Sequence, residues 1–307
     1  MKKKDNRKWQ ILFWVFVIGG TLWLVFAPRH DQTHHAPHQV QVTQIAPTPA
    51  PEEKPPVATG EEKVLAPSEA LPPPVSETPK SVANGKAVIA IVIDDVGLDV
   101  AGSRRAVALP GFITLSYIPY SQHLQDQAKE ARNAGHELLL HMPMQPVGHE
   151  DPGPGALIVG LPMDELRHRF DAALASFTGF DGMNNHMGSK FTADTEGMEM
   201  VIDELQQRHL FYLDSRTSLQ SVGAKVAKER GLPTVSRDVF LDDVISVSAI
   251  QAQLEQAEHV AKRKGYAIAI GHPHTATLQA LEEWIPDVQR RGFTLVPVNS
   301  LVNQELP

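Results

Sequence analysis

The chain has no cysteine in 307 residues. Disulfides are excluded, and so is any thiolate metal site. A metal centre here has to be built from His, Asp or Glu. Positive charge is also short: 28 Lys and Arg against 36 Asp and Glu leave a formal net charge of −8. Such a balance argues against a nucleic-acid partner. There is no internal repeat, which excludes a solenoid or propeller.

What is present is unevenly distributed. "MKKKDNRK" carries five basic residues and one acid, and Trp9 to Ala27 then run for 19 residues without a charge. At helical rise such a run spans about 28 Å, roughly a bilayer hydrocarbon core. Basic residues ahead of it keep residues 1–8 in the cytoplasm and send the remainder across. The expectation is an uncleaved signal anchor in an inner membrane. A cleaved signal peptide is the rival, leaving a secreted periplasmic protein, but Pro28 directly after Ala27 makes a poor cleavage site. Residues 28–84 are rich in Pro, Ala and Glu and contain no aromatic residue. They cannot bury enough apolar surface to fold and are expected to form a disordered tether. His34, His35 and His38 within it are read as solvated linker histidines.

From residue 85 to 307 the texture is globular. Strands are expected at 87–93, 113–118, 137–142, 210–214, 266–272 and 293–298. Helices are expected at 121–134, 163–177, 195–208, 219–230, 248–264 and 275–290, with Ser248 as an N-cap and Gly265 as a stop. Apolar strands alternating with helices point to an α/β fold around a buried parallel sheet, either a barrel or a doubly wound sheet. In such folds active sites gather at the carboxyl ends of the strands.

Polar residues fall at those ends repeatedly. Asp94 and Asp95 end "AIVIDD", His141 ends "GHELLLH", Asp214 ends "LFYLD", and His272 and His274 sit in "GHPH" after "YAIAI". "NNHMGS" (Asn184 to Ser189) follows a glycine-bounded turn. Two adjacent carboxylates repel unless a cation neutralises one of them. Carboxylate and imidazole are the ligands expected for Zn²⁺ where thiolates are missing. A divalent metal, Zn²⁺ by default of ligand type, is therefore expected. "LDD" (241–243) is a second acid pair, with Asp242 or Asp243 read as a polar wall of the cleft or a helix cap. "VGHEDPGPGALIVG" (147–160) is a long loop after a strand end, suited to touching substrate. His136 and His149 are read as bystanders.

Three stretches in this order, "IDDVG" (93–97), "HMPM" (141–144) and "NHMGS" (185–189), resemble the divergent branch of the polysaccharide deacetylase (NodB-homology) superfamily. The resemblance covers about residues 86–303. It implies a distorted (β/α) barrel and a metal-dependent carbohydrate deacetylase acting on an amide or ester. By the resemblance Asp94 is the general base, Asp95 and His141 are metal ligands, and His272, or alternatively His274, is the proton donor. Two departures stand out. The superfamily's second metal histidine, four residues after the first, is Gln145 here, and His186 is expected to supply the missing imidazole. The superfamily's arginine-proline motif is absent. Asn185 and Ser189 are expected to shape their loop and meet substrate, as are Asp214 and His274, with Asp214 alternatively orienting a histidine. The expected partners are a cell-envelope glycan, the inner membrane and an envelope protein. The rival to catalysis is a glycan- or protein-binding envelope module on the same fold.

Overall fold

The computed structural model describes residues 86–302. The expected anchor at 9–27 and tether at 28–84 lie outside the described residues. Among the described residues no helix is long and apolar enough to cross a membrane.

In chain order the elements are β1 (Val88–Val96), α1 (Val100–Val107), β2 (Thr114–Tyr117), α2 (Leu124–Asn133), β3 (Glu137–Met144), α3 (Met163–Leu174), β4 (Gly182–Met187), α4 (Thr195–Gln207), β5 (Phe211–Asp214), α5 (Gly223–Glu229), β6 (Thr234–Ser236), β7 (Val239–Phe240), α6 (Val247–Lys264), β8 (Tyr266–Gly271), α7 (Thr275–Arg290), β9 (Thr294–Leu295) and α8 (Asn299–Val302). The sheet runs β6-β5-β4-β3-β2-β1-β8-β7, and β9 pairs with the start of β1. Every pairing is parallel. Among the described residues β6 and β7 do not pair, so the sheet curls into an open barrel. This is the distorted (β/α) barrel the sequence led us to expect.

Two apolar layers stabilise it, and strand alternation sorts residues between them. Ile89, Ile91 and Ile93 of β1 face outward and pack with the helices. Val88, Ala90 and Val92 face the interior with Leu139, Leu213, Val235, Ile268 and Ile270. The interior floor is filled by the chain's late segment, where Val296, Val298, Leu301 and Val302 join the inner cluster. Glu137 secures that plug. Its Oε2 accepts from Thr114 Oγ1 at 2.7 Å and Val298 N at 2.6 Å, and its Oε1 accepts from Asn299 N at 2.9 Å. Burial pushes the Glu137 carboxyl up to about 7, with Asp181 adding to the rise.

Several boundaries differ from expectation. The segment of β4, "GMNNHM", is polar and rich in poor strand formers, so the sequence points to a loop there. Pairing with β3 over six residues makes it a strand. β6 and β7 have three and two residues, too short to show a period. α1 and α8 were also missed. The N-cap of α6 is Ser246, whose side chain accepts from Ala249 N, rather than Ser248, whereas Gly265 does end the helix in the left-handed region.

Candidate metal centre

The inner rows of the barrel carry the chemistry. On β1 the row Val88, Ala90, Val92 continues to Asp94. On β3 it runs Leu139 to His141, and on β4 Gly182, Asn184, His186. On β8 the row Ile268, Ile270 continues to His272. A period of two thus aims four strands' polar termini into one mouth. They line a cavity of about 440 Å³ with Asp95, Asn185, Ser215, Arg216, Arg237 and Phe240. A larger cavity of about 640 Å³ lies at the floor by Asp181, His209 and Pro233. Among the described residues no group of three His or carboxylate ligands meets there, so the chemistry does not follow cavity size.

The adjacent aspartates do not compete for one place. Register along β1 breaks between Ile93 and Val96, and Asp95 sits in the left-handed region at φ 57°. Asp is among the few residues that enter this region at modest cost. Gly97 completes the turn at φ 102°, where a Cβ would lie 2.3 Å from Ser121 Oγ. The twist separates the two carboxylates. Asp94 points inward and is buried; Asp95 turns toward the mouth.

Asp95, His141 and His186 form a set that could hold a cation. His186 Nδ1 lies 2.8 Å and His141 Nε2 3.3 Å from Asp95 Oδ1. That oxygen is buried, yet neither nitrogen is aligned to hydrogen-bond it. Atoms about 3.3 Å apart are what ligands at 2.0–2.1 Å from one tetrahedral ion require. The second sphere agrees. His141 Nδ1 donates to Asn184 Oδ1 at 2.8 Å, which leaves Nε2 with its lone pair toward Asp95. Burial opposes charge on His141, but Asp94 and Asp95 outweigh it and raise its pKa. Burial would also raise Asp95, but His141 and His186 hold it well below the usual carboxylate range. The pocket attracts positive charge, and these residues fit a divalent metal.

Asp94 accepts from Asn184 Nδ2 at 2.8 Å on Oδ1, and its Oδ2 stands 3.6 Å from His141 Nε2. Burial raises its pKa, against the pull of His141, His272 and the Asn184 hydrogen bond. His272 completes the mouth. Its Nδ1 lies 3.0 Å from Asp242 Oδ1, its backbone N donates to Asp242 Oδ2 at 2.6 Å, and its Nε2 faces Asp95 at 4.0 Å. Burial lowers its pKa, but Asp242, aided by Asp94 and Asp95, pushes it up to about 9.

Other expected residues fall differently. Gln145 is no ligand: its Oε1 accepts from Val159 N at 3.0 Å and pins the 146–161 loop. Asp214 is turned into its own loop, accepting from Arg216 N and Ser221 Oγ at 2.8 Å each. It therefore orients no histidine; Asp242 does. Asn185 lines the cavity while holding Met187 O and Ser215 N. Ser189 accepts from Val147 N at 2.9 Å and clips two loops together rather than lining the cavity. His274 is exposed beside His272, their rings 5.8 Å apart. Asn184, which the sequence offers without a role, and Arg237, which it does not single out, also belong to the site. Both lie on inner rows, two residues from His186 and from Val235. Strand alternation is the signal that would have found them, had β4 and β6 been recognised. Arg237 donates to Ser215 O at 2.6 Å and Arg216 O at 2.9 Å, stacks over Phe240 at 4.8 Å, and adds a positive charge near Asp94.

Comparison with known proteins places this geometry. An uncharacterized protein of Haemophilus influenzae is 40% identical over 194 residues, covering 63% of this chain and 69% of that one. The uncharacterized protein YibQ of Escherichia coli K12 is 36% identical over 220 residues, covering 70% and 67%. The crystal structure of an uncharacterized protein from Agrobacterium tumefaciens C58 matches with a TM-score of 0.68 at 29% identity, over 76% of this chain and 99% of that one. The model of the divergent polysaccharide deacetylase family matches residues 91–302. The chain belongs to the divergent polysaccharide deacetylase family.

Proposed function

We propose that the protein is a metal-dependent deacetylase that removes an amide- or ester-linked acetyl group from a cell-envelope carbohydrate, working from a membrane tether. One observation carries this reading: a carboxylate and an Asp-held histidine, Asp94 and His272, flank the cation-binding set Asp95, His141 and His186. A module that only binds has no need of Asp94 beside Asp95.

When bound, the cation polarises the acetyl carbonyl and makes a water molecule acidic, with Zn²⁺ the choice the ligand types favour. The chain's own groups move the protons. Asp94 is fixed through Oδ1 by Asn184, which leaves Oδ2 to take a proton from the attacking water. A raised carboxyl pKa suits that role. Water oxygen bonds to the acetyl carbon as its proton passes to Asp94. The carbon's bond to nitrogen or alkoxide oxygen then breaks, and the leaving atom takes a proton from His272 Nε2. Asp242 keeps that imidazole charged and oriented. The products are acetate and a free amine or hydroxyl.

The test is acetate release by the full-length protein from N-acetylated chito-oligosaccharide and from O-acetylated polysaccharide, with metal content measured alongside. Release that needs Zn²⁺ and is lost in Asp94→Asn supports the reading. A metal-loaded protein that binds glycan without releasing acetate would leave the binding-module reading in its place.

A further inference from the structure

Resting on the glycan reading above, we infer that the mouth contains an anion subsite built around Arg216, so that the preferred glycan carries a carboxylate or phosphate beside its acetylated position.

Arg216 lies two residues beyond β5 and lines the cavity, exposed at its mouth. Its backbone is in the left-handed region at φ 51° and is tied on both sides. Its N–H donates to buried Asp214 at 2.8 Å, and its carbonyl accepts from Arg237 Nη2 at 2.9 Å. The next residue, Thr217, donates from Oγ1 to Met187 O at 2.8 Å. Three neighbours therefore hold a short turn in a conformation that a non-glycine residue seldom adopts. The turn presents a guanidinium, and among the described residues no carboxylate pairs with it. Arg132, Arg230 and Arg291 are matched with Asp181, Asp203 and Glu258, whereas Arg216 opens on the cavity that holds the cation-binding set.

The charge balance of the cavity points the same way. Its lining holds two carboxylates, Asp94 and Asp95, and two guanidinium groups, Arg216 and Arg237. Asp94 is engaged by Asn184, Asp95 by two imidazoles, and Arg237 by two carbonyls and the Phe240 ring. Arg216 is the charge left open. Carboxylates and guanidinium groups balance in this lining, so a bound divalent cation would leave it positive, although the whole chain is at −8. A local excess against the overall sign favours an anionic ligand, and the guanidinium fork binds carboxylate or phosphate through paired hydrogen bonds.

The test is calorimetric binding by the full-length, Zn²⁺-loaded protein to three tetrasaccharides: neutral chitotetraose, its 6-phosphate, and an alternating N-acetylglucosamine–N-acetylmuramic acid tetramer. At least one acidic ligand should bind about tenfold tighter than the neutral one, the size of one partly desolvated charge-assisted pair. Which acid wins separates phosphate from carboxylate. The preference should shrink as NaCl rises, fall below about twofold in Arg216→Gln, and return in part in Arg216→Lys. Equal binding of all three ligands, or a preference that survives Arg216→Gln, would overturn the subsite and leave the deacetylase reading standing. No binding of any tetrasaccharide would overturn both.

Discussion

Each end of the barrel holds a buried carboxylate on an inner strand row, Asp94 at the mouth and Glu137 at the floor. Burial raises the pKa of both, yet they are treated in opposite ways. The two oxygens of Glu137 take three donors from Thr114, Val298 and Asn299, all within 2.9 Å. Its hydrogen-bonding capacity goes to holding the floor plug in place. Asp94 has one donor, Asn184, and its other oxygen faces imidazole and an open cavity. A buried carboxylate therefore marks chemistry only when its acceptor capacity is left over and a substrate can reach it.

The largest expected effect separates the ends. Asp95→Ala or His141→Ala should reduce bound metal from about one per chain to under a tenth, because three-ligand sites lose affinity steeply with a ligand. Asp94→Asn should retain the metal while acetate release falls roughly 10²- to 10⁴-fold. Elemental analysis beside an acetate assay checks both; a metal-free Asp94→Asn would erase the distinction between ligand and base. At the floor, Glu137→Ala removes the acceptor of three hydrogen bonds and should lower unfolding stability by about 2–4 kcal/mol in urea titrations, with metal content unchanged.

The floor should also respond to pH. The Glu137 carboxyl is at about 7 folded and about 4.3 unfolded, so the native state binds the extra proton. Its contribution is fully present below the unfolded value and is lost as pH rises through about 7. The loss amounts to about 4 kcal/mol. Amide exchange at Val298 and Asn299, corrected for its intrinsic pH dependence, should show the plug loosening between pH 5 and 8, and Glu137→Gln should flatten the response. The smallest effect concerns the mouth's substituted position. Gln145→His should add no second metal and should cost about 1 kcal/mol by releasing Val159 N. A metal that survives His186→Ala only in the Gln145→His background would instead show that the two positions exchange roles.

Much of the fold could be read from the sequence because outward rows are apolar and regularly spaced. β1 and β8 carry apolar runs of six and five residues, Val88–Ile93 and Tyr266–Ile270, β3 carries Leu138–Leu140, and α7 has the expected bounds of 275–290. β4 could not be read, since three of its six residues, Asn184, Asn185 and His186, are polar. A strand that feeds a site gives up the pattern by which strands are recognised. The absence of cysteine and the strand-end Asp and His residues by themselves limit the ligands to imidazole and carboxylate.

The chain alone determined which chemical groups are available and roughly which strand ends carry them, since composition and periodicity are local properties. Tertiary structure decided which of those groups meet. The left-handed turn at Asp95, parallel pairing of β3 with β4, and the return of β6 and β7 beside β5 and β8 bring His186, Asn184, Arg237 and Asp242 to Asp94, Asp95, His141 and His272. The same packing turns Gln145 and Asp214 away into their own loops. Side-chain direction at a strand end depends on register with neighbours far away in sequence, and a one-residue shift would reverse it.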